Sequence, residues 1–118
     1  MYQTTIKSIG NDAKAFEAEK MMILFGDNAP SELADFCYVI DLVSVEEEIA
    51  AGDTLKLDDV SYQITSVGEA VRKNLNDLGH ITLKFDGSTE PGQSGSLYLE
   101  DKEIVDVKPG STIVIEKQ

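Results

Sequence analysis

Alternation of apolar and polar residues recurs in short segments along most of the chain, and it constrains the fold more than any other feature. In the segment 80–85, HITLKF, every second side chain is apolar, which is typical of a β-strand with one face towards a core. Other short strand-like segments, separated by turn residues, lie at 2–7, 21–25, 38–43, 54–57, 60–64, 97–99, 104–107 and 112–115. Roughly eight short strands at this spacing predict a mainly β fold, a barrel or a sandwich.

Helical patterns are few and short. Apolar residues at i, i+4 and i+7 predict a helix from Val71 to Leu78, and Gly79 follows as a natural stop. Apolar residues within 33–37 predict a second short helix, with Pro30 near its entry. No linker or repeat divides the chain, so we expect a single domain over residues 1–118 with one or two short helices.

The last two strand-like segments flank Lys108-Pro109-Gly110-Ser111. Pro109 and Gly110 suit the centre of a type II turn, because glycine accepts the positive φ that its third position requires. We therefore expect residues 104–107 and 112–115 to be strands on either side of this turn.

The charge balance argues against several classes of function. The chain has 10 basic and 22 acidic residues and a net charge of −12, whereas binding to nucleic acid or to anionic lipid requires a basic surface. Cys37 is the only cysteine and His80 the only histidine, which excludes an internal disulfide and a histidine-rich metal site. With neither a signal-peptide pattern nor an apolar run of the ~20 residues that span a bilayer, we expect a cytoplasmic protein without direct membrane insertion.

His80 is the first candidate for chemistry, because a neutral imidazole can accept a proton, bind a metal or accept a phosphoryl group. His80 is the first residue of a predicted strand and falls on the polar face of that strand, which favours access to the imidazole from solvent. The alternative is a structural histidine that binds a backbone carbonyl near the helix end.

Two further features carry open interpretations. The loop Gly92-Gln93-Ser94-Gly95 can offer backbone N–H groups to an anion, or it can be a flexible hairpin loop. Cys37 follows the apolar positions of its short helix, so we expect a buried small hydrophobe rather than a reactive thiol.

The segments Val67-Gly68 and 74–87, NLNDLGHITLKFDG, carry a specific resemblance. Their pattern, VG…NLxxLGHxTLxFDG, resembles the glucitol/sorbitol-specific IIA component of the bacterial phosphoenolpyruvate-dependent phosphotransferase system. The resemblance extends over nearly the whole chain. It includes the opening strand with Ile9-Gly10, a second landmark segment from Ala29-Pro30 to Cys37, and the turn Pro109-Gly110-Ser111.

This resemblance implies a small, cytoplasmic, mostly β, barrel-like IIA domain that carries phosphoryl groups. Members of the family take a phosphoryl group from a phosphohistidine on the general phosphocarrier protein. They pass it to the IIB part of the IIB/IIC permease, and the sugar alcohol is phosphorylated as it enters. The resemblance implies no bound cofactor, because the phosphoryl group itself is the cargo.

The sequence departs from the family at the phosphorylated histidine. In the family this residue lies just after the landmark cysteine, in a pattern like Cys-Phe-Ile-His-Cys-His. Here residues 37–42 read CYVIDL, and the family's histidine falls on Ile40, which has no nucleophilic atom. The adjacent Asp41 would need a divalent metal and a cationic neighbour to form an aspartyl phosphate. His80, in the LGH motif, is therefore the candidate phosphoryl acceptor.

Donors near His80 would have to stabilise the incoming negative charge. Lys84 shares its strand face by parity, Arg72 lies on the preceding predicted helix, and Asn74 and Asn76 there can add amide donors. We predict these four residues as phosphate or partner contacts.

Two interpretations from other classes stay open. A non-catalytic regulatory or binding module would keep the fold but have lost phosphoryl transfer, as Ile40 suggests, and a small-molecule-binding β barrel is the third possibility. The acidic surface can steer a phosphocarrier with a positive docking face, or it can simply keep the domain soluble.

Overall fold

Eight strands and three short helices make up the regular structure of the computed structural model, which describes residues 1–118. The strands are β1 (Tyr2–Ile9), β2 (Met21–Gly26), β3 (Tyr38–Ile40), β4 (Thr54–Leu57), β5 (Val60–Val67), β6 (Ile81–Lys84), β7 (Ser96–Leu99) and β8 (Thr112–Glu116). The helices are a 3₁₀ helix (Ala13–Glu19), α1 (Ser31–Ala34) and α2 (Val71–Leu78). None of these helices has the length and apolar character needed to cross a lipid bilayer.

The strands form a closed barrel in the order β1-β3-β2-β6-β7-β5-β4-β8, and β8 pairs back onto β1. Only β2 with β3 and β6 with β7 are parallel neighbours; the other pairs are antiparallel. Closure leaves no free strand edge. The prediction of a mainly β, barrel-like fold of roughly eight short strands is confirmed.

Alternating side chains fill the barrel. Leu55 and Leu57 in β4 and Ile81 and Leu83 in β6 are buried, whereas the other residues of these two strands are partly exposed. Burying a side chain of this size stabilises the fold by about 1.5–3 kcal/mol relative to leaving it in water. The period-two pattern therefore dictates which way each strand faces.

One end of the barrel carries helix α2, and we call it the α2 end. By the pairing directions it includes the C-terminal ends of β2, β3 and β5 and the N-terminal ends of β6 and β7. Helix α2 joins β5 to β6 there, and Val71 and Leu75, four residues apart on one face, are buried in the core. The predicted helix from Val71 to Leu78 is confirmed, and its end fixes where the next residues emerge.

The prediction of a strand at residues 104–107 is wrong. The Tyr62 hydroxyl donates to the Glu103 carbonyl at 2.8 Å and accepts from the Val105 N–H at 3.0 Å. The Tyr62 side chain thus makes the hydrogen bonds that a neighbouring strand would otherwise provide. Val107 at the end of this segment is nevertheless buried, as expected for an apolar residue of the core.

One turn agrees with its predicted bounds, whereas one strand and one helix differ from theirs. The turn 108–111 is as predicted, with a Ser111 N–H to Lys108 carbonyl bond of 2.9 Å and φ of 100° at Gly110. The strand predicted over 38–43 ends at Ile40, because the next carbonyl, of Asp41, accepts from the Thr4 hydroxyl at 2.7 Å. The helix predicted over 33–37 is the shorter α1, and the 3₁₀ helix has no counterpart among the predictions.

Asp53 joins the C-terminal residues to the segment before β4. Its buried carboxylate accepts hydrogen bonds from the Ala50 N–H at 2.9 Å, and from the Gln118 N–H and the Lys117 Nζ at 3.0 Å each. Burial raises the pKa of this carboxyl, but the hydrogen bonds and the charge of Lys117 outweigh burial. The pKa of Asp53 therefore lies below its ordinary value.

We expect Asp53→Asn to lower the free energy of unfolding by about 2 kcal/mol at pH 7, because hydrogen bonds to a charged group are lost. A carboxyl with a lowered folded-state pKa stabilises the fold above its unfolded pKa of about 3.9, and this stability is lost as the pH falls through the folded value. The difference between the wild type and Asp53→Asn should therefore shrink below about pH 4. Urea unfolding at several pH values measures it, with the exposed Asp59→Asn as control; a difference independent of pH contradicts the prediction.

Candidate functional site

Gly79 and His80 connect α2 to β6. Gly79 has a left-handed φ of 64°, which ends the helix. A Cβ at this position would lie 2.9 Å from the Gly26 nitrogen, so the close approach to β2 requires glycine. The His80 N–H then donates to the Asn74 carbonyl at 3.3 Å, which anchors the histidine to the last turn of the helix.

The half-buried imidazole of His80 lies on the outer face of the barrel, as its parity predicts. Its Nδ1 is 2.9 Å from the Leu24 carbonyl oxygen, and its ring stacks on Phe25 with centroids 4.2 Å apart. A carbonyl oxygen can only accept, so in the neutral ring Nδ1 carries the proton and Nε2 keeps its lone pair. Nε2 makes no hydrogen bond within the chain. The carbonyl bond expected of a structural histidine is present, but it occupies one nitrogen only.

Two depressions meet at His80. The polar depression, of about 410 Å³, is lined by His80 together with Asn74, Ile81, Thr82 and the loop 93–96. The apolar depression, of about 330 Å³, is lined by His80 together with Phe16, Ile23, Phe25, Leu33, Phe36 and Cys37. No Asp, Glu, Lys or Arg lines either depression, although the chain has a net charge of −12. The histidine is therefore surrounded by uncharged surface.

The structure brings only one of the four predicted contact residues beside His80, and that residue is Asn74. Asn76 bonds the Val45 N–H and carbonyl, and Arg72 donates to the carbonyls of residues 45 and 46. Both side chains thus hold the segment after β3 in position. Lys84 lies four residues further along β6, with its Nζ 5.9 Å from the centre of the Tyr98 ring.

Ile40, the position of the family's histidine in the resemblance, is fully buried inside the barrel. It pairs with Gly26 of β2, and the backbone of Gly26 in turn lies against Gly79. Position 40 and Gly79, the residue before His80, thus both lie against Gly26 at the α2 end, but the side chain of Ile40 points into the core whereas the imidazole lies outside. Asp41 is an exposed neighbour whose carboxylate is 3.5 Å from the Lys7 Nζ. The chain has no cluster of three or more His, Cys, Asp or Glu side chains arranged to hold a metal ion.

The apolar depression contains features that the sequence analysis did not assign to the site. Leu33 and Phe36 are 45% and 42% exposed, and Phe25 supports the imidazole. Cys37 is buried, as expected of a small hydrophobic residue, and burial raises the pKa of its thiol. The apolar spacing at 33–37 was the available signal for this surface, but spacing alone does not distinguish a core face from an exposed one.

Comparison with known proteins gives consistent similarities over the whole length. Residues 1–114 match the family described as PTS system glucitol/sorbitol-specific IIA component. The PTS system glucitol/sorbitol-specific EIIA components of Shigella flexneri and of Escherichia coli (strain K12) are each 33% identical over 116 residues, which cover 98% of this chain and 94% of the relative. The crystal structure of a PTS system IIA component from Enterococcus faecalis V583 superposes with a TM-score of 0.83 at 30% identity, covering 98% of this chain and 99% of that one.

We expect the neutral imidazole of His80 to be the Nδ1–H tautomer, because the Leu24 carbonyl holds that proton. Long-range ¹H–¹⁵N correlation spectra of the folded protein should give a protonated Nδ1 and an unprotonated Nε2. The same protein in denaturing urea is the control and should lose this preference. A folded protein with the proton on Nε2 would contradict the assignment.

Proposed function

The chain belongs to the glucitol/sorbitol-specific IIA component family of the PTS system, a family of phosphoryl carriers, and on this premise we propose its partners and its acceptor residue. It takes a phosphoryl group from the phosphocarrier protein in the cytoplasm and passes it to the IIB component of a IIB/IIC permease. The group ends on glucitol (sorbitol), the sugar alcohol for which its relatives are named.

His80 accepts the phosphoryl group at Nε2. The Nε2 lone pair forms the new N–P bond while the P–N bond to the donor's phosphohistidine breaks, and that electron pair returns to the donor imidazole. The positive charge of the donor's phosphoimidazolium ring passes to the His80 ring, where the Leu24 carbonyl bonded to Nδ1–H stabilises it. Transfer to the IIB component repeats the exchange, with His80 as the donor.

The observation that carries this proposal is the difference between the two nitrogens of the only histidine. Nδ1 is held by the Leu24 carbonyl at 2.9 Å, whereas Nε2 has no partner within the chain. Stacking on Phe25 limits rotation of the ring. A nucleophile with a fixed orientation and a free lone pair has already lost much of the entropy that transfer would otherwise cost.

The apolar depression suits a protein donor rather than a free metabolite. Leu33 and Phe36 are exposed side by side with the histidine, and clustered exposed apolar side chains commonly mark an interaction surface. No charged residue lines the depression, so docking would bury no unpaired charge. Residues 21–55 contain acidic but no basic residues, which favours a partner with a positively charged face.

We expect incubation with the upstream phosphoryl donors of the system to give one acid-labile phosphate, located at His80. His80→Gln should abolish it, because glutamine offers no imidazole nitrogen. Asp41→Asn is the matched control for an aspartyl phosphate and should be labelled like the wild type. Peptide mapping by mass spectrometry, with acid and hydroxylamine lability, measures the site. Phosphate that persists in His80→Gln would overturn the assignment.

Phe36→Ala should slow phosphorylation by the phosphocarrier protein about tenfold, as expected when an exposed aromatic contact of an interface is truncated. Phosphorylation by phosphoramidate, a small donor that needs no docking surface, should stay unchanged. Val114→Ala, on the distant strand β8, is the control and should leave both rates as in the wild type. Equal slowing with both donors would show that Phe36 acts on the histidine and not on docking.

A second candidate function is a non-catalytic module that binds the same partners. The full burial of Ile40 at the position of the family's histidine favours it, since that position has become part of the core. Binding of the phosphocarrier or IIB protein without phosphate incorporation into the wild type would support this candidate and contradict the carrier.

A further inference from the structure

The loop Gln93–Ser96 forms one wall of the polar depression beside His80. The first three carbonyls of the loop all accept hydrogen bonds from within the chain. The Gln93 carbonyl accepts from the Ser96 N–H at 3.3 Å. The Ser94 carbonyl accepts from the N–H of residue 70 at 2.9 Å, and the Gly95 carbonyl accepts from the N–H of residue 82 at 3.1 Å. The N–H groups of Ser94 and Gly95 have no partner within the chain. The loop is therefore fixed by its acceptors and leaves two successive donors free.

The direction of these donors follows from the planarity of the peptide bond. In a trans peptide, an N–H points away from the preceding carbonyl oxygen. The carbonyl oxygens of Gln93 and Ser94 lie against Gly68, where a Cβ would come within 2.5 and 2.3 Å of them. The N–H groups of Ser94 and Gly95 must then point away from Gly68, towards the outside of the loop. Successive N–H groups with one direction form an anion-binding concavity.

Asn74 adds a third donor, its side-chain amide, beside this loop. Its side chain makes no hydrogen bond within the chain, and its Nδ2 lies 3.5 Å from the position that a Cβ of Gly95 would occupy. The backbone carbonyl of Asn74 accepts from the His80 N–H, so the amide and the imidazole belong to one connected unit. Three unused donors thus surround the depression next to an imidazole.

We infer that the Ser94 and Gly95 N–H groups and the Asn74 amide bind the oxygens of the phosphoryl group while it is bonded to His80. This inference rests on the proposed function. The depression of about 410 Å³ holds a phosphoryl group with water beside it, since one water takes about 30 Å³ in the liquid. Because no cation lines the depression, backbone and amide dipoles stabilise the phosphoryl charge, as oxyanion-binding donors do in acyl transfer.

The first test uses variants of Asn74 and the small donor phosphoramidate, which removes partner docking from the measurement. The P–N bond to ammonia breaks as the bond to Nε2 forms, so the rate reports phosphoryl binding and the acceptor alone. We expect Asn74→Ala to be about tenfold slower, the loss of one charge-assisted hydrogen bond. Asn74→Asp should be slower still, because its charge repels the phosphoryl oxygens. Gln63→Ala, which removes an exposed amide in the middle of β5, should match the wild type.

The second test uses the wild-type chain and does not depend on any variant folding. In ¹H–¹⁵N spectra, the amide protons of Ser94 and Gly95 should move downfield in the phosphoprotein, and treatment with acid to remove the phosphate should reverse the shift. Phosphoprotein that forms at His80 with unmoved Ser94 and Gly95 amides, and with Asn74→Ala as fast as the wild type, overturns this inference alone. Absence of phosphate at His80 with every donor overturns the proposed function, and the inference with it.

Discussion

Leu24 faces Ile81 across the antiparallel pairing of β2 with β6. Because His80 directly precedes Ile81, this register determines which carbonyl of β2 the imidazole can reach. A slip by one residue would turn the outer face of β6 inwards and remove the Leu24 oxygen from His80. The register is held from inside the barrel, where Leu24, Ile81 and Leu83 are buried together. The state of the only histidine thus depends on core packing that the imidazole does not itself take part in.

Local patterns predicted the features that depend on local geometry. The alternation over 80–85 put His80 on the outer face, and the spacing of α2 with its glycine stop predicted where the histidine emerges. The carbonyl partner in β2 could not be predicted, because it depends on a pairing between segments 56 residues apart. For the same reason the sequence could not reveal that Arg72 and Asn76 bind the main chain of the segment after β3. The strand expected at 104–107 is missing because a tyrosine hydroxyl competes for its backbone groups.

Charge in this molecule is distributed unevenly. Lysines at positions 7, 14, 20, 56, 73 and 117 are engaged in ion pairs with nearby carboxylates, and most of these pairs are exposed and contribute little to stability. The surface next to His80 carries no charged residue. An incoming phosphoryl group would therefore meet neutral dipoles within a broadly acidic protein. In the proposed function, long-range attraction for a partner and short-range stabilisation of the phosphate would be served by different parts of the surface.

The hydroxyl of Tyr62 is hydrogen-bonded to main-chain atoms of residues 103 and 105. Hydrogen bonds to main-chain atoms do not require a particular side chain at the bonded residue. Mutation of the exposed Glu103 can therefore change the charge of this stretch of surface while the path of the chain is preserved, whereas Ile104 and Val105 also pack against the core. A surface charge can in this way vary at position 103 without disturbing the α2 end.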